Sequence, residues 1–306
     1  MRRELLLTGL AAAASATLYL SLTLGVLGAP LFAYFVQLPL LFVGFSLGSA
    51  SASLAGLGAL AIVILFGGSI AALVFLVVQL GPSLLAVRQA LLNSTAEDGS
   101  IEWYPPGLVL GHLVLYAATV MVLALTWVRL ATGSIDSAFT AGIAHVLDQF
   151  EAAGGAASGM GQQIVDYAAI VPGIVAVSWV LMTLVNAAFA QFLALRAGQA
   201  QRPAIAFAKL WLPRWCGPAL GVTALAALLV GGDAAYFAQG LAAVFAVPYL
   251  LQGLAVVHSA ADKLKARGLA LTGFYVILLL FSWPLVVGVV LLGLLEDWAH
   301  FRRRLA

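Results

Sequence analysis

Hydrophobic positions along the chain gather into long apolar runs, and the polar positions that separate them are few. Between Glu4 and Arg88 there is no Asp, Glu, Lys, Arg or His, a stretch of 83 residues. One membrane span takes about 20 residues, so this stretch crosses a bilayer more than once. Gly, Pro and charge punctuation divides the apolar runs into about nine segments. Their bounds are 5–28, 31–48, 51–66, 69–92, 106–131, 163–195, 217–231, 234–258 and 269–295. The second and third are short and interrupted by Gly44, Gly48 and Gly56, which predicts a tilted hairpin or a re-entrant pair. Runs such as Ile62-Val63-Ile64-Leu65-Phe66 lack the alternation of a membrane barrel strand. Lipid offers no partner to backbone N–H and C=O groups, so the spans must be helices. The expected fold class is all-α, a polytopic transmembrane helical bundle.

Three connections, 93–105, 132–162 and 196–216, are polar enough to leave the bilayer. Within the second, Ala138, Phe139, Ile143, Val146, Leu147 and Phe150 recur at helical spacing among Asp136, Asp148 and Glu151, which predicts an amphipathic surface helix over 136–152. The Gly-rich stretch 154–161 reads as a linker. The expected organisation is a transmembrane bundle over 1–195, a basic interfacial connection over 196–216, and further helices with a basic tail over 217–306. Arg2 and Arg3 precede an apolar run without a small-residue cleavage site, so the N-terminus reads as an uncleaved first helix.

Composition agrees with the pattern. Of 306 residues, 63% are apolar and 8% charged, against about 25% charged in soluble domains. A soluble enzyme, a nucleic-acid binder and a disordered chain are thereby excluded. A single cysteine, Cys216, rules out an internal disulfide and a Cys-based zinc cluster. With net charge +2, only the placement of charge is informative. A cytoplasmic N-terminus and nine crossings gather Arg2, Arg3, Arg88, Arg196, Arg202, Lys209, Arg214, Lys263, Lys265 and Arg267 on the cytoplasmic side, ten of the fourteen basic residues. The opposite side receives Arg129 with Asp136, Asp148, Glu151, Asp166 and Asp233. The expected location is the bacterial inner membrane. A complete ninth crossing exports Arg302, Arg303 and Arg304, whereas a break at Trp283-Pro284 retains them, and the side of the C-terminus stays open.

Several stretches carry a family resemblance: Leu38-Pro39-Leu40 before a Gly- and Ala-rich hairpin, Gly81-Pro82, the run Tyr249–His258, and Gly293-Leu294-Leu295-Glu296-Asp297-Trp298 with its basic tail. Over nearly its whole length the chain resembles the YybS-like bacterial membrane proteins. More distantly, its first six segments are similar to the S-components of energy-coupling-factor vitamin importers; the last three segments exceed that architecture. The resemblance implies a ligand pocket in the outer half, to which Tyr34, Gln37, Gln79, Trp127, Asp166 and Tyr167 would contribute. It also implies that Ala12 and Ala16 form a stripe that slides against a transmembrane partner.

Read for their own chemistry, Gly44, Gly48, Ala52 and Gly56 form one small-residue stripe if they share a continuous helix, as Ala12 and Ala16 do on the first. Packing within this chain is the plainer use of both. Gly56–Ala61 fits G-x-G-x-x-A but follows no strand, so it is no dinucleotide site. His112, His145, His258 and His300 are scattered, and no catalytic motif is present. The expectation is no enzyme, no metal and no cofactor. Gln37, Gln79, Asp166, Tyr167, Asn186, Gln239 and Gln252 interrupt apolar helices, either to hydrogen-bond between helices or to line a pocket. Arg196, Arg202, Lys209 and Arg214, interleaved with Phe207, Trp211 and Trp215, suit an anionic leaflet or a cytosolic partner. Two functions fit: a small-molecule-binding transport subunit that needs separate energising subunits, or a scaffold that binds other membrane proteins. Membrane lipids and other membrane subunits are the expected partners, with the small-molecule ligand unidentified and nucleic acid excluded.

Overall fold

Six helical runs among the described residues are long and apolar enough to cross a membrane: Arg2–Ser21, Ser49–Ala90, Pro106–Thr132, Ala168–Arg196, Asp233–Ala261 and Arg267–Ala299. Two shorter apolar stretches, Leu31–Leu47 and Cys216–Leu229, accompany them. The computed structural model describes residues 2–23, 29–152, 167–205, 207 and 210–305. The Gly-rich stretch 154–161 and Asp166 lie outside these residues. The chain is an all-α membrane protein in two units, Met1–Leu113 with Val180–Ala206, and Val114–Trp179 with Phe207–Ala306.

The first unit opens with α1 (Arg2–Thr23), α2 (Ala29–Ala33) and α3 (Leu38–Leu47). Gly48 takes φ 97°, a conformation that ends α3, and α4 (Ser49–Val74) starts at the next residue. Gly44 and Gly48 are thus separated from Ala52 and Gly56 by a break, so the four do not form one helical stripe. Beyond α4 come a π-turn (Phe75–Leu80) and α5 (Gly81–Ala90). Gly68 takes φ 80° inside α4. A Cβ on Gly56 would run into the Leu80 side chain, yet residues 24 apart on a straight helix are separated by about 36 Å. The run therefore folds back, and Gly68 lies at its midpoint. The core of this hairpin joins Ala55, Ala59 and Val63 to Ala12, Ala16 and Tyr19 of α1.

After α5 the connection forms a short antiparallel hairpin, β1 (Asn93–Thr95) with β2 (Ile101–Trp103), in register Ser94 to Glu102. At its tip the Ser100 hydroxyl and N–H hold the Asp98 carboxyl below the usual carboxylate range. Helices α6 (Pro106–Thr132) and α8 (Val171–Arg196) each have one end in each unit.

The second unit adds α7 (Ile135–Ala152), α9 (Cys216–Leu229), α10 (Asp233–Ala261), α11 (Arg267–Ala299) and α12 (Phe301–Leu305). Helix α11 breaks at Ser282, which takes φ 40° and ψ −119° two residues before Pro284. Leu271 and Leu292 line one groove of about 610 Å³, although a straight helix would hold them about 31 Å apart. Helix α11 therefore folds back as well. Its return arm packs on α10 where Gly253 faces the Val289 backbone and Gly293 faces the Tyr249 backbone.

Candidate functional site

Burying an amide in an apolar interior is costly unless its groups are hydrogen-bonded. Among the described residues the first unit buries four, Gln37, Gln79, Asn186 and Gln191. Between α2 and α3 the chain makes turns over Tyr34–Gln37; the Phe35 and Gln37 carbonyls accept from the Leu38 and Leu41 N–H groups, whereas those of Tyr34 and Val36 take side-chain donors. Asn186 Nδ2 donates to the Tyr34 carbonyl at 2.6 Å and to that of Met182 at 2.9 Å. Ser15 Oγ donates to the Val36 carbonyl at 2.8 Å. Gln37 Nε2 donates to the Val78 carbonyl at 3.1 Å, inside the π-turn. The widened π-turn also carries Gln79, whose carbonyl accepts from Ser83 Oγ at 2.6 Å. The side-chain oxygens of Gln37, Gln79 and Asn186 are buried without a hydrogen-bond partner.

Gln37 and Gln79 are thus brought together, because Gln37 is bonded to the residue before Gln79. Tyr34 joins through its backbone, while its side chain is exposed. Trp127 and Tyr167 belong to the second unit, and both side chains are exposed. Of the small residues, Gly44 faces Val87, Gly48 faces Gln201, and Ala12 faces Gly58. Ala16 and Ala52 are fully buried.

The first unit also holds a buried cation. Arg202 donates to the Ala90 carbonyl at 2.9 Å and lies 5.9 Å from the centre of the Trp103 ring. Burial pulls its pKa below the ordinary arginine value. Its own carbonyl accepts from Gln191 Nε2 at 2.7 Å. Arg202 is therefore turned into the protein, unlike the lipid-facing basic residues expected of this connection.

Polar contacts in the second unit join residues far apart in sequence. Arg129 pairs with Asp233 at 2.8 Å. Asp233 Oδ1 accepts from the Ile135 and Asp136 N–H groups at 2.9 and 3.1 Å, capping α7. Tyr236 donates to Asp136 at 2.9 Å. Gln252 Nε2 donates to Asp297 at 2.6 Å and to the Gly293 carbonyl at 2.9 Å. Glu296 pairs with Arg302 at 2.8 Å, and Arg302 also donates to the Leu210 carbonyl. Asp233 opens α10 as an acidic residue in its first turn, a signal that marks a helix start and leaves its partners on α6 and α7 unmarked. No group of three His, Cys, Asp or Glu among the described residues is placed to hold a metal ion.

Among protein families, residues 11–296 match the one described as Predicted membrane protein (DUF2232). The chain belongs to this family. No curated protein and no solved structure matches it. The DUF2232 chain is thus a multi-pass membrane protein by family and by helix content alike. Its family description assigns no chemistry, so the buried amides and the charged helix ends must be read on their own geometry.

Proposed function

We propose that the protein is a non-enzymatic scaffold of the bacterial inner membrane, which binds other membrane constituents through apolar faces of its helices. The supporting observation is a set of open apolar grooves. Grooves of about 510 to 620 Å³ are lined by residues such as Val256, Leu271, Phe139, Ile143 and Phe274. Gln37 and Gln79 line none of these grooves. Native mass spectrometry of the gently purified chain tests the reading: a membrane protein should travel with it in fixed stoichiometry. A small molecule in its place, lost on Gln37→Leu, would overturn it.

A second reading has its own support. The unpartnered oxygens of Gln37, Gln79 and Asn186 suit a ligand that donates hydrogen bonds, as in a small-molecule-binding transport subunit. The likeness to YybS-like proteins and S-components belongs to this reading.

For topology we propose nine apolar segments, the last of them re-entrant, with a cytoplasmic N-terminus. The Phe207 ring packs on His258, Arg302 reaches Leu210, and Arg304 shares a groove with Ala261 and Leu264. These contacts support a tail on the same side as the 262–266 connection. Arg129 is then the one basic residue of fourteen on the opposite side. In intact cells an impermeant thiol reagent should label His145→Cys and leave Ile205→Cys and Arg303→Cys unlabelled. The reverse pattern would invert the orientation.

A further inference from the structure

The fold-back of α11 creates two of the grooves that support the scaffold reading, and their linings point to a particular occupant. Two apolar grooves share Leu264 and Ala270 as a common wall. One, of about 610 Å³, is lined by Val257, Ala260, Leu292 and Phe301. The other, of about 620 Å³, is lined by Leu269, Gly273, Phe274 and Ile277. Each falls within the range of about 300–1,000 Å³ typical of ligand pockets. Each also has a single cation in its lining, Arg304 in the first and Lys265 in the second.

The charges near the grooves are not equivalent. Arg267 is paired with Asp262 and Arg302 with Glu296, both at 2.8 Å. Arg304 and Lys265 take part in no ion pair among the described residues, and both are exposed. A cation beside apolar surface without a carboxylate is complementary to an anion that carries its own hydrocarbon. Two grooves with a shared wall suit two hydrocarbon chains on one headgroup. Leu264 and Leu269 are 55% and 76% exposed, so chains in the grooves would cover apolar surface that no other part of the described chain covers.

We propose that this pair of grooves is a binding site for one anionic diacyl phospholipid. One chain lies in each groove, and the phosphate is held by Arg304 and Lys265. Basic residues beside the apolar end of a helix pair favour anionic headgroups by charge, and the chains supply affinity that free phosphate lacks.

The full chain, stripped of lipid in detergent, is titrated with palmitoyl-oleoyl phosphatidylglycerol or with the phosphatidylcholine of the same chains, and bound lipid is counted by native mass spectrometry. Phosphatidylglycerol should be retained at about tenfold lower concentration than phosphatidylcholine, the effect of one to two cations at an anionic headgroup. The double variant Lys265→Gln/Arg304→Gln should lose that preference and keep the weaker, chain-driven retention of both lipids. Arg129→Gln, which alters a charge elsewhere in the same unit, should leave the preference intact. Ala270→Trp, which fills the shared wall, should lower retention of both lipids while the thermal transition persists. Equal retention of the two lipids by the unaltered chain would overturn the proposal. So would a preference that survives the double variant, or displacement of the lipid by an equal concentration of glycerol phosphate.

Discussion

In the first unit helices close by setting a glycine against a side chain: Gly44 against Val87, Gly56 against Leu80, Gly67 against Leu20. In the second, Gly240 and Gly217 meet the Met121 and Tyr249 side chains, but three approaches set a glycine against backbone: Gly173 against Gly240, Gly253 against Val289, Gly293 against Tyr249. Polar groups divide in the same way. The first unit spends its buried amides on carbonyls that a broken helix leaves open, whereas the second joins helix ends through Arg129, Asp233, Asp297 and Arg302. A side chain can change rotamer when its neighbour grows. A backbone carbonyl fixed in a helix moves only with the helix. The two units should therefore differ in how they tolerate one added methyl group.

The largest effect is expected at Gly293→Ala, because the new methyl would meet the Tyr249 carbonyl. Thermal unfolding in detergent should report a loss of about 3 kcal/mol or more, the upper end of overpacking costs. An unchanged transition would show that the return arm of α11 shifts freely on α10. Next comes Asp233→Ala, which removes the cap of α7 and the partner of Arg129. A loss of about 1–2 kcal/mol follows from the cap, and amide exchange should quicken first over Ile135–Phe139. Exchange that quickens uniformly instead would mean that α7 is not held through this carboxylate.

Gly56→Ala should cost less, about 1 kcal/mol, because the Leu80 methyl in its way can rotate aside. A cost equal to that of Gly293→Ala would erase the distinction between the units. Smallest is Gln37→Leu, which removes one hydrogen bond and one unpartnered buried oxygen together. These terms oppose each other, so the net change should stay within about 0.5 kcal/mol. A larger loss would mean that the orphan oxygen has a partner in solution.

Both fold-backs were legible as punctuation. The boundary between segments 51–66 and 69–92 falls on Gly67-Gly68, and Trp283-Pro284 lies beside the break at Ser282. Glycine and proline announce such breaks because few other residues tolerate or force them. The break at Gly48 was harder to read, since in an apolar helix the same glycine serves equally as a packing notch. Nothing in the residues Phe75–Leu80 marks a π-turn, so the meeting of Gln37 with Val78 was beyond reach. The pairing of Arg129 with Asp233 was equally hidden, because charges at distant helix ends carry no spacing. Exposure separates Trp127 and Tyr167 from the buried amides, and exposure at a lipid boundary leaves no periodic trace in so apolar a chain.

The first unit is discontinuous in sequence, and that has a consequence in time. Leu41, Phe45, Ala52 and Val87 share a core with Ala190 and Ala194, and Arg202 caps the end of α5 at Ala90. A chain that emerges from residue 1 onward has made α1 through α5 long before those partners exist. At about 5–20 residues per second, the stretch from Leu113 to Ala206 takes roughly 5–20 s to synthesise. For that interval the α3 and α5 faces that later receive α8 have only lipid, or a helper protein, to cover them. Assembly of the N-terminal helices is thus finished by the second half of the chain, and a nascent chain halted before Val180 would display that open face for as long as it is halted.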